Sequence, residues 1–134
     1  MTVKRKETEK IKNKIILIVE DDEVLLRALY VFFHGSEYTI ATASDGEIAV
    51  TMTQRLKPDI VLLDLLLPKM DGFRYLEIIK GMPDFKELPI IVLSNLGDKN
   101  DIDRAKALGA QDYFIKADVQ LEKLAEIVKN ALNR

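Results

Sequence analysis

Two apolar runs in this sequence are interrupted by acids. Ile15 to Val19 (IILIV) runs directly into Glu20, Asp21 and Asp22, and Ile60 to Leu67 is broken only by Asp64. Further on, Ser94 and Asn95 follow Pro89 to Leu93 (PIIVL), and Lys116 follows Asp112 to Ile115 (DYFI). Carboxylates packed together repel one another and raise each other's pKa, so a positive group should neutralise them. Hard oxygen ligands, with no cysteine in the chain and no histidine nearby, suit Mg²⁺, which is held by one or two carboxylates and keeps waters for phosphate oxygens. The Lys116 ammonium and the Ser94 hydroxyl could hold the remaining phosphate oxygens. An aspartate can also be the nucleophile and form an acyl phosphate. Read alone, Asp64 is as well explained as a strand-end residue capping a turn, whereas the position of Lys116 directly after an apolar strand favours the site over a solvated lysine.

These residues converge only if the elements before them lie side by side. IILIV has the length and β-branching of a strand buried on both faces. From Glu23 to Phe33, Val24, Leu25, Leu29, Phe32 and Phe33 fit a helix face, with Asp22 as N-cap and Gly35 as the stop. Tyr38 to Ala43 reads as a second strand, followed by Ser44-Asp45-Gly46 and a helix from Glu47 to about Leu56, where Pro58 forces a new start. Ile60 to Leu63 is a third strand, and a helix from about Phe73 to Lys80 follows its loop. Pro89 to Leu93 is a fourth strand, with a helix from roughly Asn100 to Leu108 ended by Gly109, and Asp112 to Ile115 is a fifth. In Val119 to Leu132, the residues Leu121, Leu124, Ala125, Val128 and Leu132 line one helical face. Five strand-then-helix units imply a parallel sheet covered on both faces by right-handed crossovers, an α/β three-layer sandwich. Ligands of such sheets bind beyond the carboxyl ends of the strands, where the acids, Ser94 and Lys116 fall.

The chain has 134 residues, 20 basic and 22 acidic, and 48% are apolar. That composition supports a core and argues against disorder. The absence of cysteine rules out a disulfide framework, a cysteine zinc site and a thiol nucleophile. No apolar run approaches the roughly 18 residues of a membrane helix. Residues 1 to 14 hold six basic and two acidic groups, so residues 15 to 134 carry 14 basic against 20 acidic, net −6. Such a body repels nucleic-acid phosphates. Residues 1–12 read as a charged N-terminal extension and 13–134 as one domain. The basic head lacks the apolar stretch of a secretory signal, and a cytoplasmic location is expected.

Glu20-Asp21 after the first strand, Asp64 with Pro68, Met70-Asp71-Gly72, Ser94 after the fourth strand and Lys116 after the fifth together resemble the receiver domain of two-component response regulators, over about residues 13 to 132. The resemblance is to chemotaxis-regulator-like, single-domain members. It implies a flavodoxin-like fold of strand order 2-1-3-4-5. It implies that Asp64 accepts a phosphoryl group from a sensor histidine kinase or a histidine phosphotransfer protein. Asp21 would then ligate Mg²⁺ directly, Glu20 through a water, and the Leu66 backbone carbonyl would complete the protein ligands. Ser94 and Lys116 would bind phosphoryl oxygens, and Ser94 with Tyr113 would switch a surface read by a downstream output protein. Tyr113 also reads as an ordinary strand tyrosine with its hydroxyl in water. Only 18 residues follow Lys116, so output is expected through a partner unless the chain is a piece of a larger regulator.

Two positions depart from the family pattern. Most receivers follow the lysine with proline, usually cis. Here Ala117 stands there, so a trans bond and a repositioned Ala117 to Val119 loop are expected. Asn95 replaces the small residue commonly found after the hydroxyl position, where it could narrow donor access or donate a hydrogen bond. The positions two after the phosphoacceptor and two after the hydroxyl are Leu66 and Leu96, and neither side chain can hydrogen-bond an attacking water. Slow hydrolysis of the acyl phosphate is therefore expected. His34, the only histidine, fits a structural role at a helix C-terminus, so a donor histidine must come from another protein. A haloacid-dehalogenase-type phosphohydrolase would want a second Asp where Leu66 stands. A flavodoxin-type cofactor binder would want glycines and hydroxyls where Glu20-Asp21-Asp22 stand. The remaining alternative is a non-phosphorylated receiver-like protein-interaction module.

Overall fold

The computed structural model describes residues 14–34 and 38–133. The charged extension over residues 1–12 and the helix stop at Gly35 lie outside them. Strands β1 (Ile15–Val19), β2 (Thr39–Ala43), β3 (Ile60–Leu63), β4 (Ile90–Ser94) and β5 (Asp112–Ile115) form one parallel sheet in the order β2-β1-β3-β4-β5. Helices α1 (Glu23–His34), α2 (Gly46–Leu56), α3 (Gly72–Lys80), α4 (Lys99–Ala107) and α5 (Leu121–Leu132) connect and cover it. The expected three-layer sandwich and strand order are both present.

Side chains alternate across each strand, so every central strand feeds two cores. Leu17, Val19, Val61, Leu63 and Val92 pack against Ala49, Phe73, Leu76, Ile79 and Ala105 of α2, α3 and α4. Ile16, Ile18, Leu62, Ile91 and Leu93 pack against Leu29, Phe33, Leu124, Val128 and Leu132 of α1 and α5. Each fully buried Leu or Ile contributes about 2 kcal/mol. These two cores, rather than the polar strand ends, hold the fold.

Aspartates start four of the helices. Asp22 accepts from the Val24 and Leu25 amides, Asp45 from Ile48, Asp71 from Arg74 and Asp98 from Asn100, satisfying amides that a helix leaves unpaired. Lys57, at φ 50°, closes α2 with its N–H on the Thr53 carbonyl, and Pro58 follows.

The element boundaries differ from expectation where backbone donors decide. Pro89 has no N–H, so the ladder of β4 begins at Ile90, although the Pro89 carbonyl still accepts from Val61. β4 extends to Ser94, placing that hydroxyl on the last strand residue rather than after it. The amides of Asp118 and Val119 both turn back to the Ile115 carbonyl, so α5 starts at Leu121 rather than Val119. A short 3₁₀ turn at Pro83–Phe85, absent from the sequence reading, is clipped by the Lys80 ammonium on the Phe85, Lys86 and Leu88 carbonyls.

Candidate functional site

β1 and β3 are neighbours in the sheet, so the residues at their carboxyl ends emerge side by side. The Glu20 amide donates to the Ala43 carbonyl and the Asp64 amide to the Val19 carbonyl, each at 3.0 Å. The ladder thus continues one residue past each strand and fixes both acids. Glu20 is 2% exposed and Asp64 4% exposed, whereas Asp21 faces solvent. Carboxylate oxygens of Glu20, Asp21 and Asp64 lie within 4.8 Å of one another. Asp22 departs from this group: its side chain caps α1, and its amide donates to Glu20 Oε2 at 3.1 Å.

Lys116 reaches Asp64, at the end of β3, from β5 across β4, a span of about 10 Å for two strand spacings, and Glu20 lies one strand further on. Its Nζ lies 2.6 Å from Glu20 Oε1 and 2.9 Å from Asp64 Oδ2, so it is not a solvated lysine. The other Asp64 oxygen accepts from the Leu66 amide at 3.3 Å. Burial pushes Glu20 above the usual carboxylate range; the Lys116 and Asp22 hydrogen bonds pull it back, and the Asp64 charge adds to the rise. Burial alone would lower Lys116, but its hydrogen bonds to Glu20 and Asp64, with their charges, hold it above the ordinary lysine value. One ammonium therefore faces two buried carboxylates, with a third at the rim. An all-oxygen donor set with uncompensated negative charge fits a hard divalent cation such as Mg²⁺.

Gly72 explains part of the loop after β3. Its amide donates to the Leu65 carbonyl at 2.9 Å, and a Cβ there would lie 2.5 Å from the Asp64 carbonyl oxygen and 2.7 Å from Leu65 Cα. Any side chain at this position would push on the Asp64 backbone. Gly72 stands out in the sequence as part of Met70-Asp71-Gly72, whereas this contact arises only from the folded loop.

Ser94 is fully buried, and its hydroxyl accepts from the Leu96 amide at 3.4 Å. The Tyr113 hydroxyl donates to the Leu96 carbonyl; it does not simply sit in water. Burial raises the Tyr113 pKa, with a further contribution from the Asp101 charge. Lys116–Ala117 is trans, as are all peptide bonds among the described residues. The Ala117 amide donates to Asn95 Oδ1 at 3.2 Å. Leu66 and Leu96 carry the expected apolar side chains, Leu66 55% exposed. His34 is the last residue of α1, stacked on Tyr30 with ring centroids 5.4 Å apart. An open groove of about 400 Å³ lined by Tyr113, Ile115, Asp118, Val119 and Lys123 borders this region without reaching the acids.

Comparison with known proteins gives a consistent picture. A family model for the response regulator receiver domain matches residues 16–129. The alkaline phosphatase synthesis transcriptional regulatory protein PhoP of Bacillus subtilis is 38% identical over 105 residues, covering 78% of this chain and 42% of PhoP. The chain thus spans less than half the length of this curated relative. A crystal structure of a response regulator from Chloroflexus aurantiacus superposes with a TM-score of 0.84 at 32% identity, over 91% of this chain and 99% of that one. The Mn²⁺-bound form of the response regulator Rcp1 superposes with a TM-score of 0.75 at 30% identity, over 87% and 90%.

Proposed function

The chain belongs to the response regulator receiver family of two-component signalling, and on that premise we propose that Asp64 accepts a phosphoryl group from a partner's phosphohistidine and that this event switches a protein-interaction surface. The observation that carries the reading is the placement of Asp64: buried, 2.9 Å from the Lys116 ammonium, with the Glu20 and Asp21 carboxylates within 4.8 Å. An Asp64 oxygen attacks phosphorus, the phosphorus–nitrogen bond breaks, and the imidazole leaves with the electron pair. A phosphoaspartate and a free histidine result. Lys116 supplies a fixed positive charge to the incoming oxygens, at no reorganisation cost because it is already held.

Glu20, Asp21, Asp64 and the Leu66 carbonyl would hold Mg²⁺. Bound there, the ion supplies the positive charge that lets an anionic phosphoryl group enter an acidic site. Ser94 and Tyr113 form the readout. Both already contact Leu96, the hydroxyl of Ser94 through its amide and that of Tyr113 through its carbonyl, so a shift of Ser94 toward a phosphorylated Asp64 moves a segment that Tyr113 also holds. The domain acts as a phosphoacceptor rather than a turnover enzyme, in the cytoplasm. Its partners are a sensor histidine kinase or histidine phosphotransfer protein and an output protein, without direct nucleic-acid or membrane contact. Among the described residues no helix is long and apolar enough to cross a membrane. The apolar Leu66 and Leu96 side chains make hydrolysis slow, and polar replacements there accelerate it.

Incubation with Mg²⁺ and acetyl phosphate tests this. The expected result is a mass increase of one phosphoryl group that requires Mg²⁺ and is abolished by Asp64→Asn. No adduct, together with no Mg²⁺ binding, would leave the domain an unphosphorylated interaction module.

A further inference from the structure

The segments leaving β4 and β5 are tied residue by residue. The Lys116 amide donates to the Ser94 carbonyl at 3.0 Å, the Ala117 amide to Asn95 Oδ1 at 3.2 Å, and the Tyr113 hydroxyl to the Leu96 carbonyl. The regular register ends with Ser94 opposite Ile115. Beyond that point the Asn95 side-chain oxygen provides an acceptor, so the pairing gains one more rung. This rung needs both residues. Proline at 117 would have no N–H to give, and alanine at 95 would have no oxygen to receive it. The two departures from the receiver pattern noted in the sequence therefore meet each other in space.

Building on the proposed function, we infer that Asn95 is a positioning residue: its bond to the Ala117 amide locks the Lys116 segment to the Ser94 segment and so fixes the Lys116 ammonium and the Ser94 hydroxyl relative to Asp64. Lys116 lies between two anchored amides, its own on Ser94 and the next on Asn95. Its Nζ in turn spans Glu20 and Asp64, so slack in this backbone becomes slack at the phosphoacceptor. Asn95 is exposed, and its truncation opens no cavity in the core. A side chain at this rim could instead obstruct the donor, and that role has the opposite sign: removal would speed labelling.

The lock itself is read by amide hydrogen exchange on the unmodified protein. Asn95→Ala speeds exchange of the Ala117 amide about threefold to tenfold, the range set by losing one net hydrogen bond, while the Lys116 amide stays protected. Asn95→Asp keeps an acceptor oxygen and keeps Ala117 protected. Unchanged Ala117 exchange in Asn95→Ala overturns the inference. In labelling with acetyl phosphate and Mg²⁺, Asn95→Ala and Ala117→Pro each slow adduct formation about threefold to tenfold, and the double variant is no slower than either single one, because both remove the same bond. Additive losses, or faster labelling in Asn95→Ala, overturn it. Should Ala117→Pro fail to fold, the sign of the Asn95→Ala effect still decides. If the wild type takes up no phosphoryl group, the proposed function fails, while the exchange result separately judges the lock.

Discussion

Among the described residues, two of the buried polar groupings are electrically opposite. Between α2 and α3, the Thr53 hydroxyl donates to the Ala49 carbonyl at 2.7 Å and accepts from the Tyr75 hydroxyl at 2.7 Å, with both residues fully buried. That pair is neutral, and each proton has an acceptor. At the strand ends, Glu20 and Asp64 are almost as deeply buried but share a single ammonium. The first grouping is complete within the chain and serves packing. The second has unbalanced charge, the arrangement that a site for a cation and an anionic phosphoryl group requires.

The comparison can be broken first at Lys116. In metal-free buffer, Lys116→Met leaves two buried carboxylates without a cation and is expected to cost about 3 kcal/mol in urea unfolding. Asp64→Asn in the same background recovers part of that loss. A Lys116→Met protein as stable as wild type would mean the acids are balanced without the lysine. Next, Thr53→Val strands the buried Tyr75 hydroxyl and costs about 2 kcal/mol. Tyr75→Phe costs about 1 kcal/mol, because Thr53 keeps its bond to Ala49. Equal losses would show that the pair is not satisfied in the way described.

Mg²⁺ sharpens the contrast. At ten times its dissociation constant it should raise unfolding stability by about 1.4 kcal/mol. Thr53→Val retains that gain and Asp21→Asn loses most of it; a gain retained by Asp21→Asn would remove Asp21 from the ligand set. The remaining effect is alkaline. Burial holds the Tyr75 phenol well above its ordinary value of 10.0, so the folded state keeps a proton that the unfolded state releases. Stability therefore falls as pH rises past about 10, by a component absent in Tyr75→Phe. Matching wild-type and Tyr75→Phe profiles would contradict it.

The site was readable in sequence because acids that interrupt continuous apolar runs must lie at strand ends, and parallel strands put those ends on one edge. Glu20, Asp64 and Lys116 came from that logic. The unequal burial of adjacent Glu20 and Asp21 did not, because it depends on which way each side chain leaves the end of β1. The Thr53–Tyr75 pair was also hidden: it lies in helical stretches whose alignment is set by how α2 crosses α3. Ser94 and Val119 shifted across element boundaries because individual backbone amides, rather than hydrophobic pattern, decide where a strand or helix stops. The Asn95–Ala117 bond was seen only as two separate departures, since nothing in their spacing of 22 residues says that they touch.

The most direct test locates the modification. After labelling with acetyl phosphate and Mg²⁺, borohydride reduces an aspartyl phosphate to the alcohol with release of phosphate, marking its residue as homoserine for peptide mapping. The account predicts homoserine at position 64 and nowhere else. Homoserine at Asp21, or an adduct that persists in Asp64→Asn, would contradict it.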